Sequence, residues 1–572
     1  MTSLVHDAGT FADAALQGIL AAHTGLTPVH GGVIRAGRRP DQVALVIGGG
    51  SGHYPAFAGL VGQGLASGAA YGNIFASPSA GQVYRVARAS DTGRGVLLSF
   101  GNYAGDVLNF GQAALRLRAE GIDVVEVPVT DDVASAPAAE SWRRRGIAGD
   151  LVVFKIAGAA AERGLHLPEV AEVAQRANAS TRSFGVAFRG CTLPGSDAPL
   201  FEVAPGTMAV GLGVHGEPGI AELPLPTVEE LSELLVDRLL EEAPPGAGSH
   251  AVALLNGLGT AKYEELYVIY ASVARRLAAA GLEVMLPEVG ELVTSLDMSG
   301  VSLSLFWPDE LLLDLWADPA TTPAYTRPRR SVGRPPAAEP ARSWRDERTV
   351  NRVHAEIVPA VLAGLAAVEQ AVLDGADEFG RLDAIAGDGD HGIGMTRGAT
   401  AALAAARHSA AEGSGAGSVL AEAAEAWSEH AGGTSGALWG VMLAAAARSV
   451  SVESELSARS AVRAAEEALT AVQRLGGAQV GDKTLVDALV PYVSALALHA
   501  DSAGDLPSAL AAAALAAEQA AADTASLRPR VGRARPLAER SLGHPDPGAV
   551  SFARIARALA ESSAERPATP AS

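Results

Sequence analysis

The sequence predicts two domains of different fold class, an α/β domain followed by a nearly all-helical one. In the first half, short apolar runs followed by glycine alternate with helical patterns, as in α/β folds with largely buried strands. These runs occupy residues 43–47, 95–100, 123–129, 151–156 and 251–255. The second half is rich in Ala, Leu, Glu and Arg, which favour helices, and its long helical stretches lie at 350–373, 456–475 and 509–522.

The predicted boundary between the domains is a segment rich in proline and arginine at residues 326–347. Repeated prolines fix φ and remove backbone hydrogen-bond donors, so this segment is typical of a semi-extended linker. An ordered surface loop is the alternative. The predicted domains are therefore residues 1–325 and 348–572.

Charge and cysteine content limit the partners of this 572-residue chain. Its 44 Lys and Arg face 64 Asp and Glu, giving a formal charge of −20, which argues against a nucleic-acid partner. The single cysteine, Cys191, excludes an intramolecular disulfide. No signal-peptide pattern and no uncharged apolar stretch of about 20 residues is evident. We expect a cytoplasmic protein without a membrane partner.

Three polar motifs in the first half are candidate ligand contacts. A Gly-rich turn with Gly50, Ser51, Gly52 and His53 follows the apolar run 43–47, although such turns are often purely structural, and it matches neither the Rossmann fingerprint nor the P-loop. Asp106 follows the run 95–100 and is either a general base or a helix cap. His215 is flanked by glycines and followed by proline, which places its imidazole on a loop.

Together these motifs resemble the substrate domain of the dihydroxyacetone kinase family, and the resemblance extends to residues 256–259 and 294–302. It implies a ketose-binding region of two α/β subdomains, in which His215 bonds covalently to the substrate carbonyl carbon as a hemiaminal. A neutral imidazole is a suitable nucleophile for this step. The resemblance also implies that His53 and Asp106 assist proton transfer and that the backbone at residues 50–52 lines the sugar.

One residue departs from the family pattern. Members usually carry Lys where this chain has Gly101, immediately before Asn102 and Tyr103. Because the exchange removes a hydrogen-bond donor and opens space, four-carbon erythrulose becomes a rival to three-carbon dihydroxyacetone as the substrate.

An acidic cluster in the second half predicts a magnesium site. Asp383, Asp388 and Asp390 lie within eight residues, and three neighbouring carboxylates repel one another unless a cation lies between them. The spacing is not that of an EF-hand loop, and an acidic surface turn is the alternative. By resemblance, the cluster matches the triple-aspartate magnesium site of the family's nucleotide-binding domain, an all-α helical barrel.

Further segments of the second half are predicted to contact ATP. They offer hydroxyl groups and backbone N–H donors at predicted helix starts, where anions are favoured. Combined with the resemblance, they give as ATP contacts His391, Gly392, Ile393, Gly394, Thr434, Ser435, Gly481, Arg540, Asp546, Pro547 and Gly548.

The predicted function is ATP-dependent phosphorylation of a terminal hydroxyl of dihydroxyacetone or erythrulose, with ATP and Mg²⁺ as cofactors. The resemblance also implies a homodimer. Two alternatives are a kinase of a different acceptor and a ketose-sensing regulator without enzymatic activity. The loop histidine argues against the first of these alternatives, and the intact aspartates argue against the second.

Overall fold

The computed structural model describes residues 8–37, 39–196, 198–215, 217, 219–328, 353–431, 433–452, 455–502, 505–531 and 535–565. The chain divides into two compact units, Met1–Glu339 and Pro340–Ser572. Thr326 and Arg327, the first residues of the predicted linker, form a short strand in the first unit. Residues 329–347 of that linker lie outside the described residues.

The first sheet of unit 1 contains the predicted runs 43–47, 95–100 and 123–129. Its strand order is β1-β2-β4-β3-β5-β6, with β4, β3, β5 and β6 parallel and the β1 and β2 hairpin antiparallel at one edge. The strands are β1 (Leu26–Val29), β2 (Gly32–Arg35), β3 (Ala44–Ser51), β4 (Gly68–Ile74), β5 (Val96–Gly101) and β6 (Val124–Val129). The helices of this part are α1 (Ala8–Ala22), α2 (Ala80–Ser90), α3 (Ala104–Ala119), α4 (Asp150–Glu162) and α5 (Leu167–Ala179).

The strand expected at residues 151–156 is wrong, because this run lies within α4. Every residue of α4 from Asp150 to Ala161 is buried. A helix that is buried on all sides carries no amphipathic pattern, so a short part of it has the same apolar appearance as a buried strand.

The second sheet of unit 1 is mixed. Its strand order is β11-β10-β13-β7-β8-β9, with β12 also pairing with β10. The strands are β7 (Thr181–Arg189), β8 (Thr207–Val210), β9 (Ala221–Pro224), β10 (His250–Gly257), β11 (Glu283–Val284), β12 (Glu288–Gly290) and β13 (Ser299–Phe306). The remaining elements are α6 (Val228–Glu241), α7 (Tyr263–Ala279), α8 (Glu310–Ala317) and the hairpin of β14 (Ala320–Thr321) and β15 (Thr326–Arg327). Two sheets with flanking helices match the expected α/β region.

Unit 2 has no strand among its described residues, as expected for a helical domain. Neighbouring helices pack in chain order from α9 to α15, and α17 packs against both α15 and α9, which closes a ring. The helices are α9 (Val358–Ala386), α10 (His391–Ala411), α11 (Ala416–Ala431), α12 (Gly433–Val450), α13 (Ala458–Gly476), α14 (Leu485–Asp501), α15 (Leu506–Asp523), α16 (Ala538–Ser541) and α17 (Pro547–Ala564).

One helical segment of the described chain, Ala355–Ala386, is long and apolar enough to cross a membrane, with a mean hydropathy of 1.6. Within the ring it packs against α10 and α17. Core helices of soluble proteins have the same length and composition, so this segment alone is weak evidence for a membrane span.

Candidate active site

The first polar cluster lies where the ends of β3 and the second sheet meet. The chain leaves β3 through Gly52, whose φ of +99° suits glycine. Gly52 also accepts a backbone hydrogen bond from Leu296 N at 2.8 Å. The next residue, His53, is fully buried, and its Nδ1 lies 2.8 Å from the carbonyl oxygen of Thr294. A carbonyl oxygen can only accept, so Nδ1 carries the proton and Nε2 keeps its lone pair.

His53 is neutral over the working pH range of most enzymes. Burial, together with the nearby charge of His215, lowers the pKa of His53 to about 3. Its Nε2 is buried and has no hydrogen-bond partner within the described residues. His53 therefore offers an acceptor nitrogen to any hydroxyl group that enters the site.

His215 lies on the loop between β8 and β9, and its ring contacts three other rings. The ring of Tyr103 is 4.4 Å away, that of His53 4.7 Å and that of Phe75 5.6 Å, each nearly perpendicular to the imidazole. About a fifth of the His215 side chain is exposed. The imidazole is thus held in one orientation by packing but remains accessible.

Glu217 holds the other side of His215. Its carboxylate accepts a hydrogen bond from the His215 backbone N at 2.9 Å, and it lies 3.5 Å from Nδ1. Burial alone would raise the pKa of Glu217, but the hydrogen bond and charge of His215 outweigh it and lower the pKa to about 2. Glu217 is therefore a carboxylate that orients Nδ1, which leaves Nε2 as the nitrogen that can attack a ligand.

Asp106 lies in the first turn of α3 rather than at the end of β5. The N-cap of this helix is Tyr103, so Asp106 is not the helix cap. Burial raises its pKa to about 6, and a hydrogen bond with Ser77 only partly offsets this effect. A carboxylate with a pKa near neutrality is suited to accept a proton as a general base.

Four buried polar atoms lining one small cavity have no hydrogen-bond partner within the described part of the chain. They are His53 Nε2, the Tyr103 hydroxyl, Asp106 Oδ1 and Asp150 Oδ1. An unpaired buried polar group costs about 1–3 kcal/mol, and His215 lines the same cavity. A small ligand with several hydroxyl groups and an electrophilic carbon would recover this cost.

The predicted substrate contacts are only partly brought together. Those that line the cavity are Gly50, His53, Asp106 and His215. Ser51 and Gly52 do not line it. The cavity is lined instead by Gly48 and Gly49, so the backbone that faces the ligand lies further back along β3 than expected.

Unit 2 brings the three aspartates together. One carboxylate oxygen from each of Asp383, Asp388 and Asp390 lies within 4.8 Å of the others. Asp383 lies in the last turn of α9, and Gly389, with a φ of +79°, reverses the chain so that its N–H donates to Asp383 Oδ2 at 2.9 Å. Three carboxylate oxygens this close are a suitable ligand set for Mg²⁺.

A cavity of about 290 Å³ lies next to this cluster, at the N-termini of four helices. Asp383 lines it, as do the first residue of α10, the first turns of α12 and α17, and the N-cap of α14. The predicted ATP contacts among the lining residues are His391, Thr434, Ser435, Asp546, Pro547 and Gly548. Because unpaired N–H groups at helix N-termini favour anions, this arrangement suits a polyphosphate.

The same cavity also has apolar lining residues. Its walls include Leu438, Trp439, Val472 and Val531. A flat heteroaromatic base would bury its faces against such side chains. The residues present therefore fit magnesium-ATP in both their charged and their apolar parts.

His391 connects two of these helix starts. Its Nε2 lies 3.0 Å from Ser551 Oγ on α17, and its Nδ1 lies 3.2 Å from Ser435 Oγ on α12. Burial lowers the pKa of His391. A neutral His391 cross-links α10, α12 and α17 at the rim where the phosphates would bind.

Five predicted ATP contacts do not line this cavity. Gly392 and Ile393 line a separate depression on α9 and α10, and Gly394 follows them on α10. The Gly481 N–H donates to Asp487 Oδ1 at 2.6 Å, and Arg540 is exposed beside the lining residue Ser541.

Several lining residues were missed from the sequence. In unit 1 these are Tyr103 and Asp150. Glu217 was also missed; it does not line the cavity but contacts His215, which does. Tyr103 and Glu217 adjoin predicted motifs. In unit 2, Lys483 donates from Nζ to the Ser541 carbonyl at 2.6 Å and lines the cavity. Its position directly before Thr484, at a predicted helix start, could have indicated Lys483 as a lining residue.

Two protein families match this chain. Residues 17–324 match the Dak1 domain, and residues 385–561 match the DAK2 domain. The chain belongs to the dihydroxyacetone kinase family. The expected α/β region followed by a helical domain is the fold of this family, so the predicted fold class and the predicted family are confirmed.

Relatives of this dihydroxyacetone kinase family member align along nearly the whole chain. It is 53% identical to L-erythrulose kinase of Pectobacterium atrosepticum, covering 98% of this chain and 96% of the relative. It is 48% identical to D-erythrulose kinase of Mycolicibacterium smegmatis, covering 98% of each.

A solved structure also aligns along nearly the whole chain. The dihydroxyacetone kinase of C. freundii in complex with AMP-PNP and Mg²⁺ matches with a TM-score of 0.59 and 29% identity, covering 97% of this chain and 98% of the other. These matches confirm that this family member is an ATP-dependent kinase with ATP and Mg²⁺ as cofactors.

Proposed function

We propose that this kinase phosphorylates a terminal hydroxyl of a short-chain ketose, with erythrulose preferred over dihydroxyacetone, while the substrate is held as a hemiaminal on His215. The observation that carries this proposal is a cavity lined by His215 and by one atom each of His53, Asp106 and Tyr103 that has no hydrogen-bond partner among the described residues. The erythrulose kinases among the relatives support the choice of sugar.

Capture begins at the imidazole of His215. Nε2 attacks the carbonyl carbon of the ketose, a C–N bond forms, and the proton lost from the imidazole ends on the former carbonyl oxygen. Glu217, near Nδ1, stabilises the imidazolium that forms during the attack. A polyol such as glycerol has no carbonyl carbon and cannot form this bond, so capture selects ketoses.

Proton removal from the reacting hydroxyl falls to His53 and Asp106. His53 Nε2 accepts a hydrogen bond from this hydroxyl and orients it. Asp106, ionised above a pKa of about 6, takes the proton as the oxygen attacks the γ-phosphate.

The nucleotide contacts of unit 2 complete the proposal. Asp383, Asp388 and Asp390 would hold magnesium, which neutralises charge on the phosphate oxygens when it is bound. Backbone N–H groups at the starts of α10, α12, α14 and α17 would bind the phosphates. The remaining proposed ATP contacts do not line the cavity; they are Gly392, Ile393, Gly394, Gly481 and Arg540.

The proposal is tested by measuring ADP release with dihydroxyacetone, glyceraldehyde, D-erythrulose, L-erythrulose and glycerol. We expect the highest kcat/KM with one erythrulose enantiomer and no ADP release above background with glycerol. Equal turnover of glycerol and ketoses would contradict carbonyl capture, and the absence of turnover with every ketose would contradict the function.

Homodimer formation and a cytoplasmic location belong to the same proposal, and both rest on the family resemblance. Light scattering coupled to size-exclusion chromatography measures the mass of the assembly. A mass of one chain at working concentrations would contradict the dimer.

A further inference from the structure

Asp150 is a buried carboxyl group with an unsatisfied oxygen. It begins α4, its residue is 3% exposed, and its Oδ1 has no hydrogen-bond partner among the described residues. Nearby Asp131 is different, because its two oxygens accept hydrogen bonds from Ile147 N at 2.9 Å and Gly149 N at 2.8 Å. Asp131 stabilises the start of α4, whereas Asp150 lines the ligand cavity without an assigned structural role.

Tyr103 presents a second unsatisfied group to the same cavity. Its ring lies against His215, and its hydroxyl is buried without a partner in the described structure. The absence of a side chain at Gly101 leaves room for this ring, because a Cβ there would lie 3.1 Å from it. A Cβ at Gly146 would lie 2.6 Å from Asp150 Oδ1. Two glycines therefore keep this wall of the cavity open.

The proposed mechanism does not yet use the Tyr103 hydroxyl or the Asp150 carboxyl group. In the proposed mechanism, the carbonyl carbon is fixed at His215 and the reacting hydroxyl lies at His53 and Asp106. Among the described residues that line the cavity, Tyr103 and Asp150 are then the remaining ones with unpaired polar atoms for the other arm of the ketose. In dihydroxyacetone this arm is a single hydroxymethyl group, and in erythrulose phosphorylated beside its carbonyl the arm carries two carbons and two hydroxyls.

We propose that Tyr103 and Asp150 form a hydroxyl-binding subsite for the non-phosphorylated arm of the ketose, and that this subsite determines the preference for four carbons over three. The inference rests on the proposed function and adds two specificity-determining residues to it. A phenol both donates and accepts a hydrogen bond, so Tyr103 can pair with a sugar hydroxyl in either direction.

The state of Asp150 fits this role. Burial, together with the nearby carboxylates of Asp131 and Asp106, raises the pKa of Asp150 well above its usual value. A protonated carboxyl group donates as well as accepts, which matches a neutral hydroxyl of a sugar. It also avoids placing a second negative charge beside Asp106 during proton removal.

The test compares erythrulose with dihydroxyacetone in the Tyr103→Phe and Asp150→Ala variants of the full chain. A sugar hydroxyl that loses its buried partner costs about tenfold in kcat/KM. We expect a loss of that size with the preferred erythrulose enantiomer, mostly as a higher KM, and a smaller loss with dihydroxyacetone. The matched control is Tyr270→Phe, because Tyr270 packs against another core cluster of unit 1 and does not line the cavity.

Dihydroxyacetone serves as the internal standard for folding, since a structural defect would lower kcat/KM for both sugars alike. Equal losses with both sugars, or no loss with erythrulose, would overturn the subsite. If the wild-type chain released no ADP with any ketose, the proposed function would fail first, and the subsite would fail with it. If the wild-type chain phosphorylates ketoses and neither variant changes the sugar preference, the subsite is overturned but the proposed function is not.

Discussion

The imidazole of His215 stands edge-on to the imidazole of His53, with ring centroids 4.7 Å apart and planes at 86°. The two rings belong to loops that adjoin different sheets of unit 1, and they have different environments. His53 is fully buried and bonded to Thr294, whereas His215 is partly exposed and lies beside Glu217. One ring is therefore suited to accept a hydrogen bond and the other to attack a carbon.

Replacing His215 should remove ketose capture without disturbing ATP binding. We expect His215→Ala to lower kcat/KM for ketoses by at least about a hundredfold, because a covalent tether is lost. Equilibrium binding of a nucleotide analogue should stay at the wild-type value. Wild-type ketose turnover in His215→Ala would show that no covalent bond is needed.

Removing one of the proposed magnesium ligands should abolish turnover but leave ketose binding intact. In Asp388→Ala, the oxygen cluster loses one of its three members, so we expect kcat to fall by about a thousandfold or more. Ketose binding measured by calorimetry should be unchanged. Retained turnover, or turnover of the wild type in excess chelator, would contradict a magnesium site here.

Glu217→Gln should weaken capture less than loss of the histidine itself. The amide keeps the shape but removes the charge beside Nδ1, so His215 attacks less readily. We expect kcat/KM to fall about tenfold. The control is Glu222→Gln. Glu222 is an exposed residue on β9 that accepts a hydrogen bond from the Thr207 hydroxyl and does not line the cavity. Equal effects of the two substitutions would argue against a role of Glu217 in orienting His215.

Asp106 should dominate the acid side of the pH profile. Its pKa of about 6 means that the carboxylate needed as base disappears as pH falls through that value. We expect kcat/KM to fall tenfold per pH unit well below about pH 6. Asp106→Asn should be nearly inactive at every pH. His53, with its pKa of about 3, should not contribute to the fall in kcat/KM.

The same shift predicts a pH-dependent effect on stability. The folded-state pKa of Asp106 lies above the unfolded value of 3.8, so the folded state binds the proton more tightly. The protonation of Asp106 therefore raises the free energy of unfolding most below about pH 4. This contribution, at most about 3 kcal/mol, is lost as the pH rises through about 6. Denaturation of Asp106→Asn should therefore show a larger gain over wild type at neutral pH than at low pH. An equal difference at both pH values would contradict the raised pKa.

The sequence predicted the fold class and the clustering of the three aspartates, because both depend on local patterns. The runs before Gly48 and Gly101 are strands, and Asp383, Asp388 and Asp390 are close in sequence as well as in space. Asp150 could not be found, because it begins a fully buried helix whose apolar run has the appearance of a strand.

Contacts between residues far apart in the sequence could not be predicted either. Tyr103 and His215 are separated by more than a hundred residues, and only the folded chain brings their rings together. The predicted contacts at Gly392, Gly481 and Arg540 do not line the cavity, for a related reason. A motif marks the loop that carries a site, but the turn geometry decides which of its residues face inward.

The most direct test of carbonyl capture is ¹³C NMR of a ketose labelled at its carbonyl carbon and bound to the protein with ¹⁵N-labelled histidine. We expect a tetrahedral carbon signal with one-bond coupling to a histidine nitrogen, which disappears in His215→Ala. A bound ketone or hydrate signal without such coupling, in a protein that still phosphorylates the sugar, would contradict it.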